Sequence, residues 1–172
     1  DHIKDAAIKA IQSGFTKYTA VDGTPGLKKA IVDKFKRENG FDYTPQQVLV
    51  SCGGKQSFFN LAQAFLNPGD EVIIPAPYWV SYPDMVLLAD AVPVIIHAPQ
   101  SQHFKITPSQ LEAAISSKTK LFVINSPSNP SGMAYNEKEL KALGDVLRRH
   151  PDILIATDDM YEHILWDSGH FV

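Results

Sequence analysis

The sequence has little cysteine, no long apolar run and no cluster of positive charge. Cys52 is the only cysteine among 172 residues, which excludes an internal disulfide and fits a reducing compartment, so we expect a cytoplasmic protein. No apolar stretch is long enough to cross a membrane. The formal net charge is −3 and no basic run occurs, which argues against nucleic acid as the main partner.

The sequence also lacks the glycine motifs of nucleotide-binding domains. Neither Gly-x-Gly-x-x-Gly nor Gly-x-x-x-x-Gly-Lys-Ser/Thr follows any predicted strand. Because those motifs form the phosphate-binding turns of such domains, we reject a nucleotide-binding α/β domain.

Short Val/Ile-rich segments recur along the chain and predict β-strands. The last two are continuous apolar runs, so we expect both to be buried. Strands of this kind that alternate with helices predict the α/β class, as a three-layer αβα domain with a mostly parallel sheet. The predicted strands lie at residues 47–51, 71–75, 92–97, 120–125 and 153–158.

Helical periodicity occupies the intervals between these strands. Thr24 and Thr107 are expected N-caps that open two of the helices, and Asn136 to Glu139 is a capping-type start for a third. We expect residues 1–14 to form a leading helix and residues 15–172 to form one domain. We expect that domain to be truncated, because no closing element follows the last strand. The other predicted helices cover residues 55–66, 79–89 and 136–149. The helix after Thr24 is predicted to bury Leu27, Ala30, Ile31 and Phe35.

Ligands of open α/β sheets bind at the carboxyl ends of the strands, and here those ends carry informative residues. Gly53, Gly54 and Lys55 follow the first predicted strand and begin a helix, so backbone N–H groups there are suited to a phosphate. An ordinary turn is the alternative. Trp79 follows the second strand, where it could stack on a flat heterocycle or pack in the core.

Two later strand ends are polar. The segment from Asn125 to Gly132 is rich in proline, and a rigid turn explains the prolines but not its two asparagines. Asp158 ends the last strand, where a partly buried carboxylate needs a partner, either a ligand or a helix terminus that it caps. The four strand ends together suit a ligand with an anionic phosphate, a flat aromatic ring, a ring oxygen and a basic ring nitrogen. Pyridoxal 5'-phosphate is such a ligand.

As a set, these residues resemble those of class I aminotransferases in the fold type I pyridoxal-phosphate family, and most of all the aspartate aminotransferases. The resemblance covers nearly the whole chain in the right order. Asp159 stands where Glu is common, and Ser131 replaces the more usual Thr; both departures are mild. The matching segments are Tyr18 and residues 23–27, 53–56, 67–72, 78–83, 125–132 and 158–163.

The resemblance implies how the phosphate is bound. Gly53, Gly54 and Lys55 would hold it, mainly through backbone N–H groups. Tyr18 would reach the cofactor phosphate of the neighbouring subunit, which implies a homodimer with shared active sites.

The resemblance also implies how the ring is bound. Trp79 would stack on the pyridine ring, and Asn129 and Tyr161 would hydrogen-bond its phenolic oxygen. Asp158 would pair with the protonated ring nitrogen. Trp79 and Asn129 would also contact the substrate.

Two functional groups of the family are missing from these 172 residues. Its Schiff-base lysine follows Tyr161 in a stretch beyond Val172, and the arginine that binds the substrate carboxylate lies nearer the family's C-terminus. Lys55 belongs to the phosphate turn and Lys118 is expected at the opposite edge of the sheet, so neither is a substitute. We therefore expect an inactive fragment without a catalytic residue, and no metal site.

The complete protein is expected to move an amino group between an amino acid, with aspartate first, and a 2-oxo acid such as 2-oxoglutarate. Another fold type I enzyme is the nearest alternative: an aromatic or alanine aminotransferase, or a carbon–sulfur lyase. A non-catalytic, self-associating module is the alternative from a different class.

Overall fold

The computed structural model of the chain describes residues 1–166, which fall into two compact units. The first unit is Asp1–Ser57 and the second begins at Phe58. Within residues 1–166, no helix is both long enough and apolar enough to cross a membrane.

The first unit is helical. Helix α1, His2–Gln12, and helix α2, Pro25–Lys34, confirm the two helices predicted there. The Thr24 hydroxyl accepts a hydrogen bond from the Leu27 N–H at 3.4 Å, so Thr24 is the N-cap of α2, as predicted. A π-helical turn, Phe35–Asn39, continues α2.

The first unit has almost no buried side chains. Lys28 alone is buried among residues 1–57, at 8% exposure, and it forms an ion pair with Asp22. The predicted buried stripe of α2 is wrong, because Leu27 and Ala30 are exposed and the other two members are half-buried. Helical periodicity predicts that a face is apolar, but it does not say what covers that face.

The predicted strand at 47–51 is also wrong. Pro45–Gln47 forms a 3₁₀ turn, because the Gln47 side chain reaches back to accept from the Thr44 N–H at 2.9 Å. The Val50 N–H donates to the Asp22 carbonyl at 3.1 Å. That contact requires Gly23, since a Cβ there would lie 2.5 Å from the Val50 side chain.

Over residues 58–166 the second unit contains a four-stranded sheet in which every strand is parallel to its neighbours, in agreement with the mostly parallel sheet that the sequence predicts. The strand order is β2-β1-β3-β4, so β2 and β4 are the edges among the described residues. The register places Asn125 directly opposite Asp158. The strands are β1 Glu71–Ala76, β2 Val92–His97, β3 Thr119–Asn125 and β4 Leu154–Asp158.

Helices cover both faces of the sheet, which confirms the three-layer αβα class. Side chains of successive strand residues point to opposite faces, so each strand contributes to two cores. Ile73 and Phe122 pack with α5 and α6, while Val72 and Leu121 pack with α3 and α4. The helices are α3 Gly54–Phe65, α4 Ser81–Leu87, α5 Pro108–Ala114 and α6 Glu137–Leu147.

Capping boxes begin α5 and α6, as the sequence predicts for both helices. The Thr107 N–H donates to Gln110 Oε1 at 2.8 Å, and the Gln110 N–H donates back to Thr107 Oγ1 at 3.3 Å. Asn136 and Glu139 exchange the equivalent bonds at 2.8 and 2.9 Å. Each capping box satisfies two backbone N–H groups that have no partner within the helix, and contributes about 1 kcal/mol.

Strand β4 is not the buried strand that its composition predicts. Leu154 and Ile155 are 40% and 46% exposed. Within residues 1–166, β4 pairs with β3 only, and neither face of Leu154–Ile155 is fully covered. The apolar run at 120–125 is buried as predicted, because β3 lies between β1 and β4.

Candidate functional site

The carboxyl ends of three neighbouring strands bring the predicted ring-binding residues of the second unit together. Trp79 follows β1, Asn129 follows β3, and Asp158 is the last residue of β4. Because the strands are parallel and adjacent in the order β1-β3-β4, all three residues lie at one edge of the sheet.

Asp158 is half-buried, and both of its carboxylate oxygens have partners. The Tyr82 hydroxyl donates to Oδ2 at 2.5 Å, and the Met160 N–H donates to Oδ1 at 3.3 Å. No helix begins within residues 159–166, so the contact with Met160 is a local turn. The helix-cap interpretation of Asp158 is therefore wrong, and the carboxylate has a buried tyrosine as its partner, which the sequence did not predict.

Tyr82 is the residue of the candidate site that sequence reasoning missed. It is 2% exposed and lies in the first turn of α4. Its ring contacts Trp79 edge-on, with centroids 5.3 Å apart, and Phe58 at 5.2 Å. Burial, and then the hydrogen bond and charge of Asp158, raise the pKa of Tyr82 far above its usual value. The hydroxyl is therefore protonated at any physiological pH and acts as the donor to the carboxylate.

One signal in the sequence pointed toward Tyr82. It follows Trp79 by three residues at the start of a helix, which places the two side chains on one side of the chain. The acceptor, however, is 76 residues further on, and no local pattern identifies it.

Asn125 ties the end of β3 to the end of β4. Its Nδ2 donates to the Asp158 carbonyl at 2.7 Å, and its Oδ1 accepts from the Asn129 N–H at 2.7 Å. Asn129 is thereby held beside the sheet, and its Nδ2 lies 3.5 Å from the Tyr161 hydroxyl. The two asparagines that a rigid turn left unexplained thus differ in what they do. Asn125 holds the ends of β3 and β4 together, and Asn129 places its Nδ2 donor next to Tyr161.

Trp79 is half-buried and packs at the margin of the core shared by α3 and α4. The core-packing interpretation therefore holds for part of its surface. Its edge-on contact with Tyr82 connects it to the Asp158 carboxylate through a single side chain.

The predicted phosphate-binding residues belong to the first unit. Gly53 and Gly54 are exposed at the start of α3, and a Cβ added to either would meet no atom within 4 Å. Gly53 has φ +89°, a conformation that favours glycine over any other residue. Tyr18 is fully exposed.

Lys118 lies at the opposite end of the sheet from Asp158, as predicted. It directly precedes β3, and its carbonyl accepts from the N–H of Glu71, the first residue of β1. It therefore cannot take part in chemistry at the carboxyl edge.

The chain belongs to the family of class I and II aminotransferases, whose family model matches residues 1–172. An aspartate/prephenate aminotransferase from Nitrosomonas europaea is 66% identical over 171 residues. The crystal structure of an aspartate aminotransferase from Rhizobium meliloti is 52% identical, with a TM-score of 0.97. An aromatic aminotransferase from Pyrococcus horikoshii is 35% identical, with a TM-score of 0.94.

These relatives are longer proteins than the chain. Each match covers 99% of this chain, but only 43% of the Nitrosomonas protein, 43% of the Rhizobium chain and 46% of the Pyrococcus chain. The matches confirm the predicted family and fold class for the part that is present.

Proposed function

We propose that the complete protein is a pyridoxal-phosphate-dependent aminotransferase that takes its amino group from aspartate. The observation that carries the cofactor part of this proposal is the anchored Asp158 carboxylate at the carboxyl edge of the sheet. Asn129 and Tyr161 are connected to it through Asn125, and Trp79 through Tyr82. A carboxylate, a donor pair and a tryptophan at one edge suit a planar ligand with a basic nitrogen and an anionic oxygen.

The donors and acceptors fit the cofactor. A carboxylate has about four lone-pair sites, and Tyr82 and Met160 use two of those of Asp158, which leaves capacity for a ring N–H. Asn129 Nδ2 and the Tyr161 hydroxyl are donors of the kind that a phenolic oxygen needs. When bound, pyridoxal phosphate supplies an electron sink, which is strongest with its ring nitrogen protonated. The task proposed for Asp158 is to hold a proton at that nitrogen.

We propose that Gly53, Gly54 and Lys55 bind the phosphate. The exposed glycines at the N-terminus of the 12-residue helix α3, with open space above both, support this assignment. The full exposure of Tyr18 is compatible with a role on a second subunit, and we propose a homodimer on that basis and on the family resemblance.

The substrate proposal rests on the relatives. The Nitrosomonas protein carries aspartate and prephenate in its name, and aspartate is the amino acid of that pair while prephenate is a 2-oxo acid. We therefore propose aspartate as donor, with 2-oxoglutarate or prephenate as acceptor.

The test is an assay of the full-length protein with pyridoxal phosphate. Incubation with aspartate and each 2-oxo acid in turn should yield oxaloacetate, and omission of the 2-oxo acid should stop the reaction. An aminotransferase that accepts tyrosine or alanine but not aspartate would contradict the substrate. Release of ammonia and pyruvate from a thioether amino acid, without any 2-oxo acid, would favour the carbon–sulfur lyase.

A further inference from the structure

We propose that Tyr82 is a positioning residue whose hydroxyl holds the Asp158 carboxylate in the orientation that the cofactor's ring nitrogen requires. The inference rests on the proposed function, since it assumes that Asp158 pairs with that nitrogen. Tyr82 itself need not touch the cofactor or the substrate; it acts through Asp158.

The first argument is how firmly the Tyr82 ring is held. At 2% exposure it lies between Trp79 and Phe58, with centroid distances of 5.3 and 5.2 Å. Its backbone N–H donates to the Trp79 carbonyl at 3.2 Å, which fixes the start of α4. A buried aromatic side chain held on two sides has little rotational freedom, so its hydroxyl is a fixed point.

The second argument is what that fixed point does to Asp158. Asn125 fixes the backbone of Asp158 at the end of β4, since its Nδ2 donates to the Asp158 carbonyl at 2.7 Å, but this bond does not set the orientation of the carboxylate. The only other bond to its carboxylate among the described residues is a longer one, 3.3 Å from the Met160 N–H. The 2.5 Å bond from Tyr82 therefore determines where Oδ2 points, and with it the plane of the carboxylate.

The third argument concerns Trp79. The tryptophan proposed to stack on the cofactor ring contacts Tyr82 with an interplanar angle of 82°. One side chain therefore supports both the proposed stacking residue and the proposed counter-charge. A phenylalanine at this position would preserve the aromatic packing but release the carboxylate.

The experiment uses the full-length holoenzyme loaded with pyridoxal phosphate that carries ¹⁵N in its ring. The ¹⁵N chemical shift reports the protonation and hydrogen bonding of the ring nitrogen without any turnover. We compare the parent protein with Tyr82→Phe and Asp158→Asn. The control variant is Tyr135→Phe, which removes the hydroxyl of another buried tyrosine, whose oxygen accepts from the Ile106 N–H at 2.8 Å.

We expect Asp158→Asn to move the ¹⁵N resonance furthest, Tyr82→Phe to move it in the same direction by a smaller amount, and Tyr135→Phe to leave it in place. If the energy of a hydrogen bond to a charged group is lost from the transition state, kcat falls on the order of 10- to 100-fold. We therefore expect kcat of Tyr82→Phe to fall within that range while KM changes little. Thermal unfolding midpoints should fall for both tyrosine variants, since each loses a buried hydrogen bond.

The outcomes separate the inference from the proposed function. If Asp158→Asn moves the resonance and Tyr82→Phe does not, Tyr82 is only a core residue, and the role of Asp158 stands. If Tyr82→Phe and Tyr135→Phe lower stability and kcat equally with no spectral change, the positioning role is also overturned. If Asp158→Asn itself leaves the resonance unchanged, the proposed role of Asp158 fails, and the role of Tyr82 fails with it.

Discussion

Replacement of Asp158 by Asn in the full-length protein is the most informative single change. The amide keeps the shape of the side chain, and its oxygen can take the place of Asp158 Oδ2 and accept from the Tyr82 hydroxyl, so folding should survive. What is lost is the negative charge opposite the proposed ring nitrogen. Two unit charges about 4 Å apart interact by roughly 4 kcal/mol at the effective dielectric constant of about 20 that suits a half-buried site.

That energy corresponds to a fall in kcat on the order of 10³-fold, because each 1.4 kcal/mol is a factor of about ten. The assay is oxaloacetate formation from aspartate under saturating cofactor, so that weaker binding is not mistaken for slower chemistry. Asp152→Asn is the matched control: Asp152 is exposed and lies just before the amino end of the same strand, and its replacement should leave kcat within about twofold. Turnover of Asp158→Asn within tenfold of the parent would refute the assigned role.

Three further predictions concern the chain itself. The 172-residue chain alone should show no transamination, and borohydride reduction after incubation with pyridoxal phosphate should label several surface lysines diffusely; stoichiometric labelling of one lysine with measurable activity would contradict this. Leu111→Ala should destabilise the second unit by about 2–5 kcal/mol, because Leu111 is fully buried in the core with α6, and a denaturant titration measures the loss. Burial opposes ionisation of Glu139, but Lys105 at 2.6 Å and the Asn136 N–H outweigh it and lower the pKa of Glu139. The stability contributed by the Glu139 carboxylate is therefore present above its usual pKa and lost as pH falls through the lowered pKa. Glu139→Gln should accordingly reduce the loss of stability at acid pH in a plot of unfolding free energy against pH. An unchanged acid dependence would count against the ion pair of Glu139 with Lys105.

The sheet was predictable from the sequence because its strands are short, apolar and separated by helices and turns. Residues 92–97 form a strand with the predicted bounds, and β3 begins only one residue before its predicted start. The capping box at Thr107 was equally predictable, since a capping box is a local pattern in which two residues three positions apart exchange side-chain-to-backbone hydrogen bonds.

Three expectations failed for one physical reason. The strand at 47–51, the buried stripe at Leu27 and Ala30, and the burial of β4 each depend on a partner surface, which periodicity and composition do not identify. An apolar segment becomes a strand or a core face only where another element pairs with it or covers it.

Most residues of the candidate site could be predicted from the sequence, but Tyr82 and the contacts between the residues could not. Strand ends at Trp79 and Asp158 and the polar loop at Asn129 could be located by topology alone. The Tyr82–Asp158 bond joins residues 76 positions apart, and the bridge from Asn125 to Asp158 depends on the register of β3 and β4. Such contacts follow from the assembled sheet rather than from any local pattern.

A crystal structure of the full-length protein with pyridoxal phosphate bound is the most direct test of the central claim. The account predicts that a carboxylate oxygen of Asp158 lies about 2.7–2.9 Å from the pyridine nitrogen, the range of charge-assisted N–H···O bonds. It also predicts that the Tyr82 hydroxyl remains bonded to the same carboxylate. A cofactor ring whose nitrogen faces solvent, or another residue, while Asp158 stays bonded only to Tyr82 and Met160, would contradict it.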